Sequence, residues 1–141
     1  MWAKTFEVRL AEWQRLRDQV ANVDIPVALH LINSWWFRAP WCPYHLHWDD
    51  RNTWPDPWQL LSDNIYCDLA RGLGIMYTIS LLDRKDLQDA CLAECGGYNL
   101  VLVDQKKYIL NWKADTIVNI TLEQVHARNQ ISQEQIKQKI G

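Results

Sequence analysis

Residues Trp2, Phe6, Leu10, Trp13, Leu16 and Val20 recur at intervals of three and four. That spacing lines one face of a helix, with Lys4, Glu7, Arg15 and Asp18 on the other. The helix should end near Asn22, before Asp24 and Pro26. The next run, "VALHLINSWWF" at 27–37, is rich in β-branched and aromatic types, and Val27, Leu29 and Leu31 alternate with Ala28 and His30. This alternation predicts a strand, a buried helix being the alternative for so continuous an apolar run. Residues 39–57 carry four prolines and many polar side chains, which predicts a long irregular excursion. Loops of that length are usually functional or packed on their own side chains.

In "DPWQLLSDN" the pattern turns helical again. Asp56 is a good cap, Pro57 suits the first helical position, and Trp58, Leu61 and Ile65 share a face. Asp63 or Asn64 can cap a second, longer helix to about Leu82, with Ile65, Leu69, Leu73, Met76 and Ile79 as its buried stripe. Gly72 and Gly74 each cost a helix about 1 kcal/mol, so they imply another backbone packed close by. "LQDACLAEC", "YNLVLVD" and "KYILNWK" then read as three antiparallel strands joined at Gly96-Gly97 and at Asp104-Gln105-Lys106. Tyr98, Leu100 and Leu102 face one way and Asn99, Val101 and Val103 the other, so the sheet should be covered on both sides.

Two capping-box patterns follow, Thr121 with Gln124 and Ser132 with Gln135. The last helix offers only Ile136 and Ile140 as anchors, so residues 121–141 read as a short helical C-terminal extension. The expected class is α+β in one domain over residues 1–141. It comprises an N-terminal helix, a Trp-rich loop, and a central helical pair packed on a short antiparallel sheet.

Composition sharpens this picture in three places. The formal net charge is −2 and the basic residues are scattered, with the pairs Arg84-Lys85 and Lys106-Lys107 in expected turns. Phosphate recognition needs clustered cations, so a nucleic-acid partner is excluded. No apolar run approaches the about 18 residues of a membrane span, and Glu7 and Glu12 interrupt the N-terminus as a secretory signal. A cytosolic setting would keep Cys42, Cys67, Cys91 and Cys95 as thiols or metal ligands rather than disulfides. Third, six of the nine tryptophans fall within residues 35–58, which demands either a core of large rings or a surface built for contact.

Cys67 is the first candidate for chemistry. In the first turn of the long helix its thiol would face unpaired N–H groups and the positive end of the dipole, as activated cysteines do. The competing reading is a small apolar filler, and Asp68 beside it disfavours a second negative charge. A base for it would have to come from His45 or His47 in the loop, since His30 and His126 lie far along the chain. A zinc site is the second candidate, from Cys42 with His45 or His47 and from Cys91 with Cys95. Residues four apart on a strand sit about 13 Å from each other, so Cys91 and Cys95 converge only if the chain turns between them. The third is contact through Trp41, Trp48 and Trp54 in the loop and through Ile131, Ile136 and Ile140 in the tail.

A cysteine opening a long helix, followed by an antiparallel meander, resembles the transglutaminase-like branch of the papain-like fold. There a "GxCxxxA" motif starts the helix, and later strands supply a histidine base and an acid that orients it. The matching stretches here are "IYCDLA", "GGYNLVLV" and "YILNWK", within residues 57–113. The thiol is kept, but Tyr98 and Asn99 stand where the histidine belongs and Asn111 stands at the acid. Asn99 cannot take a proton, so the resemblance implies a scaffold without its chemistry. The segment "WPDPWQLLSDNIYCDLARGLGIMYTISLL" is also similar to small virion proteins of tailed bacteriophages. The two resemblances imply a non-enzymatic structural or assembly protein of a virion tail, neck or baseplate, made in the host cytoplasm and bound to other viral subunits in a homo- or hetero-oligomer. The alternative is a cysteine hydrolase or acyltransferase with Cys67 as nucleophile.

Overall fold

Thr5 opens the first helix, α1 (Phe6–Val20), by accepting a hydrogen bond from the Val8 N–H at 3.3 Å. The structure, a computed structural model, describes residues 2–105, 107–114, 116–119 and 127–140. Along α1, Trp13, Leu16 and Val20 are buried, as the spacing predicts.

The strand expected over 27–37 is instead a helix, α2 (Ile25–Trp36). Ala28, Leu29, Ile32, Asn33, Trp35 and Trp36 are buried, a helical spacing that coexists in the sequence with the alternation of Val27, Leu29 and Leu31. Val27 and His30 point to solvent, and Pro26 sits in the first turn, where its missing N–H costs nothing. Packing against α1 decides the matter, because only a helix presents Trp35 and Trp36 to the same core.

Asp56 caps α3 (Pro57–Asp63) through the Gln59 N–H at 2.8 Å, as expected. The inward residues are Leu60 and Leu61, while Trp58 and Ile65, expected on the buried face, are exposed. The long helix α4 (Asp68–Leu82) lies at the centre and is buried on all sides from Leu69 to Ser80. It packs on α1, α2 and α3 and on one face of the sheet. Gly72 and Gly74 are explained by side chains rather than by a backbone neighbour. A Cβ on Gly74 would meet the Trp36 ring at 2.5 Å, and one on Gly72 would meet Leu92 Cδ1 at 2.7 Å.

The described strands are β1 (Cys91–Cys95), β2 (Tyr98–Val103), β3 (Tyr108–Lys113), β4 (Thr116–Asn119) and β5 (Asn129–Ser132). They form an antiparallel sheet in the order β4-β3-β2-β1-β5, and with the helices make an α+β fold. Gly96 and Gly97 make the two-residue β1–β2 turn with φ of +55° and +84°, a conformation open to glycine at little cost. Leu92, Val101 and Val103 face α4, while Cys91, Ala93, Cys95, Leu100, Leu102 and Ile109 form a second buried cluster on the far face.

The C-terminal extension takes a different form from the one expected. Thr121 and Gln124 lie outside the described residues. Ser132 and Gln135 do form a capping box, opening α5 (Gln133–Ile140). Yet β5 pairs with β1, α5 packs on α4, and Ile131 and Ile136 are buried in the main core, with Ile140 half-buried against it. Their role as exposed anchors for a partner is therefore corrected: the domain itself covers them. Removing residues 129–141 would uncover Leu92 and α4 together, so the truncated chain is expected to lose its cooperative thermal transition. A sharp melt near the full-length temperature would show instead that the tail is dispensable.

Candidate functional site

Asn64 adopts a left-handed backbone, φ +56°, and ends α3. Asparagine tolerates this conformation, which explains its place there. The chain then needs two further residues to turn into α4, so the cap of α4 is neither Asp63 nor Asn64 but Cys67. The thiol takes the position usually held by a serine or aspartate oxygen. Its sulfur accepts the Ala70 N–H at 3.4 Å and, from the loop, the Leu46 N–H at 3.3 Å. Cys67 is 5% exposed.

Above Cys67 lies a cleft of about 490 Å³. The loop over residues 37–56 forms one wall, held by the Cys42 N–H on the Tyr66 carbonyl at 2.8 Å and by a short 3-10 turn, Trp48–Thr53. The opposite wall is the β1–β2 hairpin with Asn99 and Glu94, and Arg128 stands at the rim. The expected contact residues divide sharply. Trp48 and Trp54 are buried edge-to-face at 5.2 Å and anchor the loop, so they are not free anchors for a partner. Trp41 is 58% exposed, with its indole N–H on Asp68 at 3.2 Å. Tyr44 is 87% exposed at the mouth and has φ +58°. That backbone is uncommon outside Gly, Asn and Asp, and nothing in "CPYH" announces it.

Two amides, Asn99 and Asn111, stand on the sheet beside the start of α4. Asn99 on β2 accepts the Trp48 indole N–H at 2.8 Å. Asn111 on β3 accepts from Arg71 Nε at 2.6 Å and donates to the carbonyls of Asp68 at 2.8 Å and Asn99 at 2.6 Å. Its own N–H goes to Asn33 Oδ1 at 2.9 Å, which ties α2 to the sheet. Arg71 also pairs with Asp68 at 3.0 Å and lies over the Phe37 ring. Burial lowers the Arg71 pKa, opposed by the negative charge of Asp68 and then by Cys67. Neither amide can take a proton from the sulfur.

His47 lines the cleft and His45 is half-buried in the same loop, but among the described residues neither hydrogen-bonds Cys67. His30 is exposed on α2, and His126 lies outside the described residues. The residues of the zinc alternative lie on different parts of the fold. Cys91 and Cys95 face the cluster on the far side of the sheet, Cys42 is exposed beside the cleft, and among the described residues no three His, Cys, Asp or Glu come together. No described helix is long and apolar enough to cross a membrane. Comparison with protein-family models, with curated proteins and with solved structures finds no match to this chain.

Proposed function

We propose that this chain is a non-enzymatic assembly protein that binds other proteins through the mouth of the Cys67 cleft. One observation carries the reading: where the transglutaminase-like resemblance would have a base and its orienter, Asn99 and Asn111 are amides that hydrogen-bond their neighbours. An amide cannot deprotonate a thiol, so neither residue supplies the general base that a cysteine nucleophile needs. What the cleft does offer is contact, through two large rings, Trp41 and Tyr44, held in solvent. Aromatic side chains are enriched among interface anchors, and Tyr44 keeps a costly backbone conformation for no packing gain. The likeness of residues 54–82 to small phage virion proteins supports structural subunits as the partner class, whether copies of this chain or its neighbours in a particle.

A cysteine hydrolase or acyltransferase is the second reading, because His47 lines the same cleft as Cys67. His47 would take the thiol proton as sulfur attacks a carbonyl, then return it to the leaving group. Sedimentation and an amide or ester turnover assay separate the two. The contact reading expects concentration-dependent association that Trp41→Ala and Tyr44→Ala weaken by tenfold or more, about 1.4 kcal/mol each. Cys67→Ser should leave that association intact. A monomer that turns over substrate, and stops doing so as Cys67→Ser or His47→Ala, overturns it.

A further inference from the structure

We propose that the last turn of α5 is a latch that holds the loop closed over Cys67. The C-terminal helix reaches the loop that walls the cleft through Lys139. Lys139 Nζ donates to the Arg51 carbonyl at 2.6 Å, and its ammonium lies 5.4 Å from the Trp54 ring centre. From there the contacts run without a gap to the sulfur. Trp54 donates its indole N–H to the His47 carbonyl at 2.9 Å and stacks edge-to-face on Trp48. Trp48 is tied to Asn99 on the opposite wall, and Leu46, one residue before His47, donates its N–H to Cys67 Sγ. A second strut, Arg51 Nη2 to the Gln130 carbonyl at 3.4 Å, joins the same turn to β5.

Two features make this seat releasable. The helix is eight residues long, and of its apolar side chains Ile136 is fully buried while Ile140, at the end, is only half-buried. Short helix ends open locally at a small fraction of the global cost. The seat also gathers two cations, since Arg51 lies over Trp48 at 5.1 Å beside Lys139 over Trp54. Burial, and then the charge of Arg51, hold the Lys139 pKa below its ordinary value, so the ammonium is not comfortable where it sits. With Lys139 withdrawn, the turn at Trp48–Thr53 loses its outer support and the thiol becomes reachable.

The latch governs the cleft to which the contact reading above is assigned, but it is read out on the thiol itself, so failure of either leaves the other standing. Alkylation by iodoacetamide, followed residue by residue by mass spectrometry in a Cys42→Ser background, provides the test. Cys91 and Cys95, buried on the far face of the sheet, serve as internal reporters of global opening. Lys139→Met keeps the apolar stem over Trp54 and removes the charge. It is expected to speed modification of Cys67 by about tenfold, the effect on an open population of losing one charge-assisted hydrogen bond. Cys91 and Cys95 should keep their wild-type rates, and Lys139→Arg should keep Cys67 slow. An unchanged Cys67 rate in Lys139→Met overturns the latch. So does acceleration of all three thiols together, which would make α5 a plain structural strut.

Discussion

Thr78→Val is expected to destabilise the protein by about 2–5 kcal/mol, although it changes neither volume nor shape. The Thr78 hydroxyl, fully buried on α4, accepts the indole N–H groups of Trp13 at 2.8 Å and Trp36 at 2.9 Å and donates to the Gly74 carbonyl at 2.8 Å. Valine leaves both indole donors in the core with no acceptor, at about 1–3 kcal/mol each. The rings cannot swing out to water. Trp36 is packed against Trp2, Trp13, Trp35 and Tyr66, with centroid separations from 5.0 to 6.4 Å, and over the bare α-carbon of Gly74. Thr78→Ser keeps the hydroxyl and should lose under about 1.5 kcal/mol, the scale of one deleted methyl. Urea denaturation of the pair isolates the hydroxyl. Equal losses from valine and serine would mean that the hydroxyl is worth no more than the methyl at this position.

Asn111→Ala should cost about 3–5 kcal/mol, for two separable reasons. The amide accepts from Arg71 Nε and donates to the carbonyls of Asp68 and Asn99, so its loss strands polar groups at the α4–sheet junction. Its backbone also has φ +67°, where alanine is strained by about 1–2 kcal/mol and asparagine is tolerated. Asn111→Gly removes the strain and keeps the polar loss, so it should recover about 1 kcal/mol relative to alanine. If glycine and alanine melt alike, the left-handed turn carries no cost and the hydrogen bonds account for the whole effect.

Much of the local structure was legible because local rules decided it. The run Trp2 to Val20 has one period and one buried face, Asp56-Pro57 is a cap followed by a residue preset for helix, and Gly96-Gly97 can make a tight hairpin that other residues resist. Ser132 and Gln135 cap each other whatever lies around them. The candidate site was legible in part: Cys67 at a helix start follows from a polar cap residue and an apolar run at helical spacing. The errors cluster where two local rules competed. At residues 27–37 the apolar run satisfies both periods, and only the need to bury Trp35 and Trp36 against Trp2 and α1 selects the helix. At Asp63-Asn64 a cap residue could start one helix or end another, and the left-handed turn of Asn64 ends α3.

What the sequence determined by itself was the inventory: amphipathic helices, a glycine-turned meander and a thiol at a helix start. These depend on neighbours within one or two turns, where sterics and hydrogen bonding act without reference to the rest of the chain. What only the tertiary structure decided was which apolar residues face outward. Ile131 and Ile136 look unsupported in a thin amphipathic tail, yet β5 pairs with β1 and α5 lies on α4. Trp48 and Trp54 sit in the same proline-rich loop as Trp41, yet the first two are buried and the third is in solvent. Burial depends on surfaces brought together from more than 30 residues apart along the chain, and the free energy of covering a ring is set by what covers it rather than by its sequence neighbours.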